Sequence, residues 1–90
     1  MFSGAPNPFD TQTTLEYTLS KDATLWLEVY DSFGRRVAEL VPRTFHAAGT
    51  YSLPWNAERN IAAGVYTAVV HTVDAQGTVT RTTIRITCIR

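Results

Sequence analysis

Apolar side chains in this sequence recur at every second position, run after run, and that period builds strands. In Thr13–Ser20, Leu15, Tyr17 and Leu19 fall on one side, with Thr14, Glu16 and Thr18 on the other. Successive side chains of a strand point to opposite faces, so this alternation predicts a strand with one buried and one wet face. Thr24–Asp31 repeats it, with Leu25, Leu27 and Val29 inward and Trp26, Glu28 and Tyr30 outward. Gly49–Asn56 puts Tyr51, Leu53 and Trp55 on one face. Gly64–Val73 puts Tyr66, Ala68 and Val70 against Thr67, Val69 and His71. Thr78–Ile89 sets Ile84, Ile86 and Cys88 opposite Arg85 and Thr87. Arg36–Val41 is shorter and less regular, as an edge strand would be, and Val41-Pro42 is expected to close it.

Turn chemistry divides these runs. Asp31-Ser32-Phe33-Gly34 and Asp74-Ala75-Gln76-Gly77 share one plan. The aspartate can bond its own backbone two residues on, and the fourth-position glycine tolerates a positive φ. Both read as tight hairpins. Pro54 cannot donate a ladder hydrogen bond, so its strand is expected at a sheet edge or bulged there. Helical periodicity is absent over three turns anywhere, and residues 57–64 have room for one helical turn at most. Six or seven short strands spaced by turn signals predict an all-β fold. The expected form is a two-sheet antiparallel immunoglobulin-like sandwich of about seven strands, filling residues 1–90 as one domain. Its inward set is Leu15, Tyr17, Leu27, Val29, Leu53, Trp55, Tyr66, Val70, Ile84 and Ile86. Truncating Trp55 to alanine would cost about 3–5 kcal/mol if it sits in the core.

Composition narrows the function classes. The chain is 44% hydrophobic and 18% charged, which is globular rather than disordered. Eight basic residues balance eight acidic ones. A chain of zero net charge has no long-range field to gather nucleic acid, so no nucleic-acid partner is expected. No apolar run approaches a membrane span, and no signal-peptide pattern is present. Met1 directly before Phe2-Ser3 reads as a start placed on an excised fragment. Cys88 is the single cysteine, so no internal disulfide can form.

Catalytic and metal-binding patterns are missing. His46 and His71 lack partners at metal-ligand spacing, and the outward place of His71 predicts a solvated ring. Cys88 shares a face with two isoleucines and is expected to be a buried, inert thiol. Glu16 and Glu28 both point outward and could be neighbours, but a small sandwich offers no cleft for paired acids. There is no phosphate loop, nucleophile elbow or calcium loop. The expectation is a protein that is not an enzyme and holds no cofactor or metal. Trp26 and Tyr30, two residues apart on one strand face, could form a flat platform for a sugar or a protein.

Several residues then line up as an ordered string. Asn7-Pro8-Phe9 opens it. Leu15-x-Tyr17-x-Leu19 and Val29-Tyr30-Asp31-x-x-Gly34-Arg35-x-Val37 follow, then Leu40-Val41, Ala48-Gly49, Trp55-Asn56 and Gly64-Val65-Tyr66. Over essentially its whole length the chain resembles the C-terminal sorting domain (type A) of proteins exported by the Bacteroidetes-type type IX secretion system. It is similar, too, to the Ig-like domain of flagellar hook-capping proteins. Physical roles stand beside the motifs. Asn7-Pro8 biases the chain to extended geometry, Phe9 can plug the core, and Tyr66 can bond back to the preceding loop as a tyrosine corner does.

The resemblance implies a non-catalytic signal attached C-terminal to a larger cargo protein. Such a domain is recognised by outer-membrane secretion machinery. It passes through the periplasm to the cell surface or the medium. The resemblance places recognition in the last strand, here Arg85, Thr87, Ile89 and Arg90. The sequence departs from the pattern at Asp10, where asparagine is more frequent, at Cys88, and in carrying arginines where lysines are usual. The competing expectation is an Ig-like binding or spacer module, of carbohydrate-binding or hook-assembly type, that uses Trp26 and Tyr30.

Overall fold

The alternating runs become the strands of two facing sheets. The computed structural model describes residues 2–5, 12–56 and 62–89. Within these residues the strands are β1 (Phe2–Ala5), β2 (Gln12–Leu19), β3 (Ala23–Tyr30), β4 (Arg36–His46), β5 (Gly49–Asn56), β6 (Gly64–Asp74) and β7 (Val79–Cys88). One sheet has the order β1-β2-β5, and the other β4-β3-β6-β7. Every pairing is antiparallel. The chain changes sheet after β2, after β4 and after β5, which is the wiring of an immunoglobulin-like sandwich. Here the fourth strand joins the sheet of the third instead of that of the first, second and fifth.

Inward side chains of both sheets form one apolar cluster. Leu15, Tyr17 and Trp55 come from the first sheet, and Leu25, Leu27, Val29, Val41, Tyr66, Ala68, Val70, Ile86 and Cys88 from the second. Each fully buried leucine or isoleucine adds about 1.5–3 kcal/mol relative to an exposed one. The expected inward set is therefore found inward, with Leu53 and Ile84 half-buried at the rim. Trp55 is in the core, its ring edge-on to Tyr66 with centroids 6.0 Å apart. Pro54 lies on β5, which pairs only with β2 and so is an edge strand, as its missing N–H requires.

Two expectations change. β1 was not anticipated, because four residues containing Ser3-Gly4 show no alternation. It pairs Phe2 with Tyr17 and Ala5 with Thr14. It comes in tightly: a Cβ built on Gly4 would lie 3.2 Å from Leu15 and 3.3 Å from Ile86, so a side chain there would require those two to give by a few tenths of an ångström. β4 does not stop at Val41-Pro42 but continues to His46. Its register against β3 shifts between Leu25 and Leu27, between Leu27 and Glu28, and between Val29 and Tyr30. Pro42 sits in this irregular stretch of an edge strand, where a missing N–H breaks no ladder. Residues 57–61, where a helical turn had room, lie outside the described residues, as do Asn7, Pro8, Phe9, Asp10 and Arg90.

The two aspartate turns have one geometry. Asp31 Oδ1 accepts from the backbone N–H of Phe33 at 2.9 Å and of Arg35 at 3.0 Å. Asp74 Oδ1 accepts from Gln76 and Thr78, both at 2.9 Å. Gly34 and Gly77 share a φ of 82°, a left-handed conformation that glycine takes without strain. A second twinned motif emerges at Ala47-Ala48-Gly49-Thr50-Tyr51 and Ala62-Ala63-Gly64-Val65-Tyr66. In both, the tyrosine hydroxyl donates to the carbonyl of the alanine four residues back. Tyr66 is thus the expected tyrosine corner, and Tyr51 is its counterpart on the other sheet. No helix among the described residues is long and apolar enough to cross a membrane.

Candidate functional site

The two outward faces of the sandwich differ in chemistry. On the three-stranded sheet, Thr14, Glu16 and Thr18 of β2 stand opposite Pro54, Ser52 and Thr50 of β5. All six are exposed, and the Thr18 and Thr50 hydroxyls share a hydrogen bond of 3.1 Å. The outer face of the four-stranded sheet is built from larger and charged groups. Strand register places Trp26 opposite His71, Glu28 opposite Val69, and Tyr30 opposite Thr67. One strand further on, His71 faces Arg81, Val69 faces Thr83, and Thr67 faces Arg85. Glu16 and Glu28 therefore lie on opposite outer faces and are not neighbours, because the chain changes sheet between β2 and β3.

Glu28 is the electrostatic centre of this face. It was expected in solvent but is 9% exposed. Tyr30 donates its hydroxyl to Oε1 at 2.8 Å, and Arg36 Nη1 donates to Oε2 at 3.0 Å. His71 Nε2 lies 3.3 Å from Oε1, an ion pair when the ring is protonated. Burial alone would raise the Glu28 pKa. The Tyr30 and Arg36 hydrogen bonds, with the His71 and Arg36 charges, outweigh it and hold the carboxyl below its usual value. Tyr30 is shifted the other way, above the usual phenol value, chiefly because its proton is held by Glu28.

His71 is not the solvated ring expected from its outward position. It stacks flat on Trp26, with centroids 4.8 Å apart and planes 6° apart, and its Nε2 is buried without a hydrogen-bond partner among the described residues. On β4, the Arg43 guanidinium carbon lies 4.3 Å from the Trp26 ring centre, within cation–π range. Trp26 is thus flanked by Arg43 and His71 instead of lying bare. Val69, also expected outward and wet, is 1% exposed. It sits between these groups as the apolar floor of the face.

Beside the Glu28 cluster is a depression of about 650 Å³, lined among others by Tyr30, Ser32, Thr67, His71, Arg81 and Arg85. It joins two sets of candidate residues that the sequence kept apart. Tyr30 comes from the aromatic platform and Arg85 from the terminal strand. Trp26 lies one row away, behind His71. Of the other terminal residues, Thr87 is half-buried opposite Val65, and Ile89, just past β7, is 61% exposed. Asp31, Gly34, Trp55, Gly64 and Tyr66 occupy turn, corner and core positions. Asp31 and Gly34 also line the depression.

Sequence reasoning placed Glu28 on this face but missed Arg36, Arg43 and Arg81 as members of the same surface. The signal for Arg81 was present, since it shares its strand face with Arg85 four residues on. No group of three or more His, Cys, Asp or Glu side chains among the described residues is arranged to hold a metal ion. No family model, curated protein or solved structure matches this chain.

Proposed function

We propose that this domain is a non-catalytic sorting and anchoring signal. In this reading it is carried on the C-terminal side of a larger cargo protein and read by the outer-membrane components of a type IX secretion system. It would cross the periplasm with its cargo and end at the cell surface or outside the cell. The observation that carries the reading is the division of labour between motif and surface. Asp31, Gly34, Trp55, Gly64 and Tyr66 occupy turn, corner and core positions that maintain the fold. β7, to which the family resemblance assigns recognition, is the outermost strand of its sheet. Its Arg85 and the following Ile89 are accessible to a receptor. An edge strand with outward basic side chains suits recognition by strand addition or side-chain capture.

A reporter fusion tests this in a bacterium that owns the secretion system. Arg85→Ala is made at an exposed position and is read with a folding control. Together with removal of residues 89–90, it should leave the domain folded and reduce export. Thr87→Ala is a further variant, read with a folding control because Thr87 is half-buried. Folded variants exported at the unmodified rate would remove the terminal strand from the signal.

The second reading is an Ig-like binding or spacer module acting through the Trp26 and Tyr30 face. The specific observation in its favour is the depression beside Tyr30.

A further inference from the structure

We propose that the depression between Tyr30 and Arg81 is a binding site for an acidic saccharide, with the Arg81 guanidinium taking the carboxylate of a uronic-acid ring. The proposal rests on the sheet face of the second reading and is independent of the export reading. Most cations of the described residues are already engaged. Arg35 pairs with Asp31 at 2.9 Å, Arg36 with Glu28 at 3.0 Å, and Lys21 with Asp74 at 3.2 Å. Arg43 lies over Trp26. Arg81 is different: among the described residues, no carboxylate lies within ion-pair distance of it. It is exposed, and it stands directly across from His71 at one end of the depression. A guanidinium presents a planar fork that matches a carboxylate with two parallel hydrogen bonds.

The rest of the depression is of mixed polarity, with Arg85 lining it opposite Thr67. Tyr30, Ser32 and Thr67 bring hydroxyl groups, and Asp31 lines the far end. The Asp31 oxygens are taken by the Phe33 and Arg35 backbone N–H groups and by Arg35 Nε. Its negative charge would still oppose a uniformly anionic ligand there. The polarity thus fits a molecule with a carboxylate at one end and hydroxyls at the other. An extended acidic peptide fits less well. Lying on the face of a sheet, it would cover its own N–H and C=O groups without main-chain partners. A sugar brings only hydroxyl and carboxylate groups, which this lining can meet. The volume lies within the roughly 300–1,000 Å³ usual for small-ligand sites.

The test is isothermal titration of the intact domain at low salt with aldotetraouronic acid, a neutral xylotriose carrying a single uronic-acid ring, with circular dichroism to verify the fold of each variant. Binding should be measurable, should weaken with added salt, and should fall at least about tenfold in Arg81→Gln, the scale of a lost charge-assisted hydrogen bond. Arg81→Lys should recover part of the loss. Arg43→Gln, on the same sheet outside the depression, should bind as the unmodified domain does. Absence of binding, or equal binding by Arg81→Gln, would overturn the proposal. Equal binding of neutral maltotetraose would overturn the acidic class while keeping the face as a sugar surface. Equal binding of polyglutamate would overturn the saccharide class. None of these results bears on export, which the reporter fusion reads separately.

Discussion

Tyr51 and Tyr66 make the same hydrogen bond in two environments, so removing each hydroxyl separates the motif from its burial. Tyr66→Phe keeps the ring against Trp55 and deletes the donor to the Ala62 carbonyl. Tyr66 is 6% exposed, and water can replace the lost bond only in part. The expected loss is about 1–2 kcal/mol, a net hydrogen bond plus part of the penalty of an unsatisfied carbonyl. Tyr51→Phe deletes the 2.6 Å bond to the Ala47 carbonyl, which is exposed. Water takes over there, and the loss should be about 0.5 kcal/mol or less. Urea unfolding followed by tryptophan fluorescence reads both, because Trp55 packs on Tyr66. The midpoint should fall in Tyr66→Phe with an unchanged slope. Each kcal/mol lost corresponds to about 4–8 °C in the thermal midpoint of a domain this size. If Tyr51→Phe costs as much as Tyr66→Phe, or if Tyr66→Phe is neutral, burial does not set the worth of these corners.

Two further outcomes are expected. The depressed Glu28 pKa makes the carboxylate a source of stability that is fully present above its unfolded value, close to the ordinary 4.5, and lost as pH falls through the folded value. Asp31 and Asp74 are shifted in the same direction, chiefly by backbone hydrogen bonds from Arg35 and Thr78. Urea midpoints measured from neutral pH down to about pH 3 should therefore drop less steeply in Glu28→Gln than in the unmodified domain; parallel curves would show that Glu28 adds nothing to acid sensitivity. Cys88 is 2% exposed and forms no disulfide. A thiol reagent should modify it only at the rate at which the domain opens, and labelling as fast as a free thiol would contradict its placement.

The strands were legible because each carries a local signal. Alternation gave β2, β3, β5, β6 and β7 to within a residue or two, and the paired Asp-x-x-Gly segments gave both hairpins of the four-stranded sheet. β1 and the second half of β4 carried no such signal. β1 has four residues and is held by pairing with β2 and by the close approach of Gly4 to Ile86, a contact between residues more than eighty positions apart. β4 passes through Pro42 because edge strands tolerate bulges, and edge status is a property of the assembled sheet. The Ala-Ala-Gly-x-Tyr repeat was legible in principle, since both copies stand in the sequence fifteen residues apart.

The candidate surface shows where period-two reasoning stops. Alternation assigns a side chain to a face; it does not say what stands beside it on that face. Glu28, Val69 and His71 were assigned to the correct face and the wrong environment. Each lies in a central strand, β3 or β6, with neighbours on both flanks. Around Glu28 and Val69 stand Trp26, Tyr30, Thr67 and His71, large enough together to cover them. Arg81 and Arg85 belong to β7, which has a neighbour in its sheet only on the β6 side, and they remain exposed. The same alternation therefore yields a buried carboxylate cluster in the middle of the sheet and accessible guanidinium groups at its margin. The order β4-β3-β6-β7 sets that difference. It also separates the residues that stabilise this face from those that a partner could reach.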